Sequence, residues 1–113
     1  MARGVDRRRE PRVELRGVGM IDFGSRVLPC RLLDISRTGL ALVTTVGPPA
    51  GIVRVRFRLG SRDAAWTEVD ARVVRATDWD VAGERKIWGM KLQPMDLGTR
   101  TRLRGFVAYA TRP

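Results

Sequence analysis

Through most of this chain, hydrophobic and polar positions alternate with the period of two that marks half-buried β-strands. The clearest run is Ile52 to Leu59, where Val53, Val55, Phe57 and Leu59 share one face and Arg54, Arg56 and Arg58 the other. The first face belongs to a core, and the arginine face is expected to be solvated. Val13 to Ile21 alternates loosely and is interrupted by glycines, which predicts a strand with a bend or bulge. Asp22-Phe23-Gly24-Ser25 reads as a short turn and Arg26 to Leu33 as a second strand. Leu40 to Val46 is a third, closed by Gly47-Pro48-Pro49-Ala50-Gly51. Trp66 to Ala76 follows Ile52 to Leu59 as a fifth strand with Val69, Ala71 and Val73 inward, and after a polar loop from Asp78 to Arg85, Ile87 to Leu92 is a sixth. Beyond Pro94 the period changes. Asp96 is placed to cap a helix over 96–110, with Leu103, Phe106, Val107 and Ala110 at helical spacing and Arg100, Arg102 and Arg104 on other sides. Six short strands and one helix predict a small antiparallel barrel or sandwich.

The first two strands carry one further consequence. A hairpin centred on Phe23-Gly24 sets Val13 opposite Leu33 or Asp34, within a residue of register, and so delivers Arg12 and Asp34 to the same end of the sheet. Two polar stretches far apart in sequence become neighbours: Arg7-Arg8-Arg9-Glu10-Pro11-Arg12 and Asp34-Ile35-Ser36-Arg37-Thr38-Gly39. By itself the second stretch is a tight turn, with Asp and Ser oxygens capping backbone N–H groups and Gly free to take positive φ. The first is a flexible basic arm over residues 1–12, ahead of a globular unit over 13–113.

Charge sharpens the picture. The chain has 113 residues, one domain's worth, with 22 basic against 12 acidic side chains and a net charge of +10. Lys86 and Lys91 are the only lysines, so the basic groups are nearly all guanidinium forks suited to paired hydrogen bonds with phosphate or a guanine edge. Histidine is absent, which removes His-based general bases, Ser-His triads and most zinc sites. A binder of something anionic is expected, not an enzyme. No run approaches the length of a membrane span and no signal segment opens the chain, so a cytoplasmic protein is expected. Cys30, alone and inside an apolar strand, is expected to be a buried, inert thiol.

Together, Arg8, Arg12, Asp34, Ser36 and Gly39 form a recognisable inventory. The arginines offer forks to phosphate or to O6 and N7 of guanine. The Asp34 carboxylate accepts from the N1–H and N2 amine edge of guanine, Ser36 adds a small donor and acceptor, and Gly39 allows close approach to the backbone. The set suits a guanine nucleotide carrying phosphate. It has no P-loop and no dinucleotide fingerprint, so binding without turnover is expected and no cofactor is called for.

These residues resemble the two motifs of PilZ domains, bacterial receptors for cyclic di-GMP. Arg8-Arg9-Glu10-Pro11-Arg12 is similar to the family's RxxxR, and Asp34-Ile35-Ser36-Arg37-Thr38-Gly39 to its (D/N)xSxxG. Trp88-Gly89-Met90-Lys91-Leu92 is similar to a glycine-containing strand of the family, and the resemblance covers residues 7 to 110. It implies an all-β fold, a six-stranded antiparallel β-barrel with a C-terminal α-helix. It implies cyclic di-GMP as ligand, with Arg7, Arg8, Arg9 and Arg12 on its phosphates and guanine and with Asp34, Ser36 and Gly39 meeting it from the barrel. Arg7, just ahead of the first motif, occupies a place associated in the family with two stacked ligand molecules. Thr38 departs from the family pattern, where glycine is common. The resemblance also implies a protein effector, motility machinery being one example. Two rival readings remain: a PilZ-like adaptor acting through protein contacts without nucleotide, and a basic barrel binding nucleic acid through the arginine face with Trp66, Trp79 or Trp88 as stacking platforms. Nucleic acid is not the expected partner, because those tryptophans read as strand packing or strand ends.

Overall fold

The computed structural model describes residues 11–112. Seven strands and a helix follow in chain order: β1 (Val13–Glu14), β2 (Val18–Asp22), β3 (Val27–Ile35), β4 (Gly39–Thr44), β5 (Ile52–Arg58), β6 (Trp66–Asp78), β7 (Lys86–Leu92) and α1 (Leu97–Ala110). Every pairing is antiparallel, in the order β1-β3-β2-β5-β6-β7-β4, and β3 also pairs with β4. β2 to β7 therefore close into the expected six-stranded barrel, with β1 added to β3, and closure leaves those six strands without a free edge.

The alternation read from sequence fills the interior. Ile21, Leu32, Ile35, Leu40, Leu42, Val55, Phe57, Val69, Ala71 and Trp88 are all buried. The Trp88 ring meets Phe23 edge-on, with centroids 6.3 Å apart and planes at 89°, which seals the barrel near the β2–β3 turn. Helix α1 adds Leu103 and Val107 to the core, with Phe106 packed against it. Its N-cap is Asp96, as expected, whose carboxylate accepts from the Thr99 N–H at 3.0 Å and the Thr99 hydroxyl at 3.3 Å. Those bonds hold the Asp96 carboxyl below its ordinary pKa. Ala110, placed by spacing on the apolar face, is exposed instead, because it ends the helix beyond the turn that reaches the barrel.

Three details differ from the sequence reading. Phe23 N–H donates to the Arg26 carbonyl at 2.9 Å, so the loop is Gly24-Ser25, with Gly24 at φ +91°. The turn is centred one residue later than expected, and Val13 faces Ile35, one residue past Asp34 and within the slip allowed for. Asp78 is the last residue of β6, joined to Lys86 at 2.6 Å, and not part of the loop. The arginine face of β5 is paired across the sheet instead of being merely solvated. Arg54 Nε lies 3.0 Å from Asp70 and Arg56 Nε 2.9 Å from Glu68, while Arg58 lies over the Trp66 ring at 4.3 Å.

Two β-bulges matter more than any of these. In β3, Cys30 and Leu32 point inward, and uninterrupted alternation would turn Asp34 inward as well. The ladder with β4 slips between Leu32 and Asp34, so Ile35 takes the core position and Asp34 faces out. In β6, Val69 and Ala71 are buried and Val73 packs against the core, but the ladder with β7 slips between Val73 and Arg75. Arg75 is thereby turned to the outside.

Candidate functional site

Arg12 stands immediately before β1, and the pairing of β1 with β3 carries it to Asp34. Its Nη1 donates to Asp34 Oδ1 at 2.6 Å across a separation of 22 positions. The two side chains are 53% and 33% exposed, so the pair forms a rim and not a buried bridge. The neighbourhood argued from the hairpin is therefore present, although the register that produces it is one residue away from the expected one.

Residues 34 to 39 divide into two functions. Asp34 and Ile35 end β3, while Ser36 to Gly39 make the tight connection to β4. Ser36 N–H donates to the Gly39 carbonyl at 2.9 Å. The Ser36 side chain is fully buried, and its Oγ accepts from Gly39 N–H at 3.0 Å and Thr38 N–H at 3.3 Å. Ser36 thus shapes the turn from inside. Leu92 N–H donates to the Thr38 carbonyl at 2.8 Å and ties the turn to the end of β7.

Gly39 serves close packing and not backbone freedom. None of the positive-φ glycines among the described residues is Gly39, so the turn does not draw on the conformational freedom that a glycine there offers. A Cβ at Gly39 would stand 3.3 Å from the Met90 carbonyl, 3.4 Å from Arg12 Nη2 and 3.6 Å from Ser36 Oγ. The guanidinium of Arg12 rests over the bare backbone of Gly39. Thr38 is also explained: no described non-glycine residue has positive φ, so the turn accepts a threonine where a glycine is common.

Arg7, Arg8 and Arg9 lie outside the described residues. Of the expected site, the structure brings together Arg12, Asp34, Ser36 and Gly39. Around them the sheet supplies features that sequence reading passed over. On the outer face Asp34 is followed across the strands by Ala41, Gly89 and Arg75, and Gly39 by Lys91 and Arg72. The signal that could have exposed Arg75 is a charged residue at the inward parity of β6, the same misfit that Asp34 makes in β3.

Other candidate chemistry is muted. Among the described residues no group of three or more His, Cys, Asp or Glu side chains could hold a metal ion, and no helix is long and apolar enough to cross a membrane. Cys30 is buried, and burial pushes its thiol up to about 11. Trp88 is fully buried and offers no stacking surface, while Trp66 opens β6 and Trp79 follows its last residue, both exposed.

The family model of the PilZ domain matches residues 6–109. The chain belongs to the PilZ domain family. A search of the curated proteins finds no match. Among solved structures, the chain resembles the Bacillus subtilis inhibitor of motility, MotI, with a TM-score of 0.72 at 20% identity, covering 91% of this chain and 50% of that protein. It resembles the PilZ domain of YcgR from Escherichia coli, solved with c-di-GMP, with a TM-score of 0.70 at 14% identity, covering 92% and 91% of the two chains. PlzA from Borreliella burgdorferi, also a complex with c-di-GMP, gives 0.60 at 12% identity and covers 94% of this chain and 53% of that one. This PilZ chain thus spans about half the length of MotI and PlzA. At such identities the likeness speaks for the fold.

Proposed function

We propose that this PilZ domain is a receptor for cyclic di-GMP that binds without turnover and passes the signal to a protein partner in the cytoplasm. The observation that carries the reading is the rim formed by Arg12 and Asp34 over Gly39, beside the buried Ser36. A guanidinium fork and a carboxylate within one ligand's reach match the two faces of a guanine nucleotide: phosphate or the O6/N7 edge for the arginine, the N1–H and N2 edge for the aspartate. Family membership and the cyclic di-GMP complexes among the structural neighbours support the identity of the ligand.

The energetics favour exchange. An exposed ion pair such as Arg12–Asp34 is worth roughly 0.2–1 kcal/mol, whereas a charge-assisted bond to a ligand contributes roughly 1.5–3 kcal/mol. Ligand can therefore replace the Arg12–Asp34 contact at small cost. Arg8 is assigned the second clamp from the arm, with Arg7 and Arg9 beside it. Ligand phosphates would neutralise the clustered charge of residues 1–12 and draw the arm over the barrel, altering the surface offered to an effector. A motility partner is the natural first choice to test, given the likeness to MotI.

The test is calorimetric titration with cyclic di-GMP of wild type, Arg8→Ala, Arg12→Ala and Asp34→Ala. Each variant is expected to bind about tenfold to a hundredfold more weakly. Variants that match wild type would refute the clamp, and a wild type that ignores the ligand would favour the adaptor reading.

A further inference from the structure

The outer face that carries Asp34 continues past the rim. Reading the registers across β3, β4, β7 and β6, one row runs Asp34, Ala41, Gly89, Arg75, and the adjacent row runs Gly39, Lys91, Arg72. The first row is floored by two of the smallest residues, and the side chain of Arg75 lies back across one of them. A Cβ at Gly89 would stand 3.8 Å from Cβ, Nε and Nη2 of Arg75. Three strand spacings separate the Asp34 and Arg75 backbones, about 14 Å. Asp34 stands at one side of this low floor, and the long side chain of Arg75 reaches from the other side over Gly89.

The charges on this face are unlike those on β5. Arg54 and Arg56 are neutralised by Asp70 and Glu68 across the ladder. Arg72, Arg75 and Lys91 are exposed and make no ion pair among the described residues. Asp70, two residues along β6 from Arg72, is already bonded to Arg54. Unpaired cations close together repel, and a fold gains nothing by assembling them unless an anion joins them. The bulge before Arg75 turns this arginine outward as the bulge before Asp34 turns the aspartate outward. Bulges gather near sites where a side chain must be re-aimed.

We propose that Arg72, Arg75 and Lys91 form a second cationic wall of the binding site, which takes a phosphate of a ligand lying across Ala41, with Arg75 lifting from Gly89 to meet it, opposite Arg12 and Asp34. The inference rests on the receptor reading above and extends it: the ligand must carry at least two anionic groups, one for each wall. A mononucleotide would satisfy only one side. The bare backbone at Gly89 leaves room for the Arg75 side chain to lie flat across β7.

The experiment is calorimetric titration with cyclic di-GMP at low and at physiological salt, with folding followed by thermal melting. Three proteins are compared with wild type: Arg72→Ala/Arg75→Ala, Lys91→Ala, and the control Arg54→Ala/Arg56→Ala, which removes the same charge as the first from the paired face. The wall predicts about tenfold or greater loss of affinity and a shallower salt dependence for the first, a smaller loss for the second, and affinity within about twofold of wild type for the control. Gly89→Leu, which leaves every charge in place, is expected to weaken binding as well. Wild-type affinity and salt dependence in both wall variants would overturn the wall and leave the receptor reading intact. Equal losses in the wall variants and the control would also overturn it, because the effect would then belong to net charge. If wild type itself fails to bind, both readings fall.

Discussion

Arg12 and Gly39 pack directly on one another: the Arg12 guanidinium lies over the glycine backbone, its Nη2 3.4 Å from where a Cβ would stand, at van der Waals contact. The glycine is a seat. Gly39→Ala would press on the Met90 carbonyl at 3.3 Å, and that carbonyl belongs to a ladder strand with little freedom to retreat. The expected result is a folded barrel in which the Met90 carbonyl gives by a few tenths of an ångström and Arg12 keeps its contact with position 39. Cyclic di-GMP affinity should fall by less than about tenfold, with a small decrease in melting temperature. Calorimetry and a thermal melt on one sample would check both. A loss of about tenfold or more would show that Arg12 does not keep this contact.

Ser36 should behave differently, because its oxygen works for the turn. Ser36→Ala removes the acceptor for the Gly39 and Thr38 N–H groups, and Ser36 itself is fully buried. Leaving a buried donor without a partner costs roughly 1–3 kcal/mol. Each kcal/mol lowers the melting temperature of a domain near this size by roughly 4–8 °C. The variant should therefore melt several degrees early. A Ser36→Ala protein with wild-type stability would mean that the turn is held by its backbone bonds alone.

Much of this was legible in the sequence, and what was not has a common cause. Strict alternation from Val53 to Phe57 gave β5, and the cap at Asp96 placed the helix. The neighbourhood of Arg12 and Asp34 followed from hairpin arithmetic even though Gly24-Ser25, and not Phe23-Gly24, forms the loop. The bulges escaped notice because a bulge belongs to the register of two strands and not to either alone. Both left the same trace. Asp34 follows Cys30 and Leu32, and Arg75 follows Val69, Ala71 and Val73, at positions where alternation would bury a charge. Such a misfit can be read as an instruction to slip the register. The seat at Gly39 had no trace, since it depends on a carbonyl of β7 and a side chain ahead of β1.

The barrel's interior rests heavily on Trp88. It is fully buried, meets Phe23 edge-on, and its Nε1 has no hydrogen-bond partner among the described residues. Trp88→Ala would leave a large cavity and cost roughly 3–5 kcal/mol. Trp88→Phe keeps a ring and removes the unpaired N–H, so it should cost much less. Denaturant titration of the two variants would rank them. Equal losses would mean that the indole nitrogen is satisfied in solution.

Cys30 sets a pH signature. Its thiol is pushed up to about 11 by desolvation, against an ordinary value of 9.0, with the Gly19 backbone N–H opposing the shift. A raised pKa means that the folded protein holds the proton more tightly than the unfolded chain does. The associated stability is therefore complete below the unfolded value near 9 and is lost as pH rises toward about 11. Melting temperature should decline across that window, and Cys30→Ala should decline less steeply, whatever it loses at neutral pH through the missing sulfur. In the native protein at pH 8 the thiolate fraction is about a hundredfold below that of an unfolded cysteine. Alkylation by iodoacetamide should accordingly be slow until denaturant is added. Rapid native alkylation at pH 8 would mean that the β2–β3 ladder opens often enough to expose the sulfur.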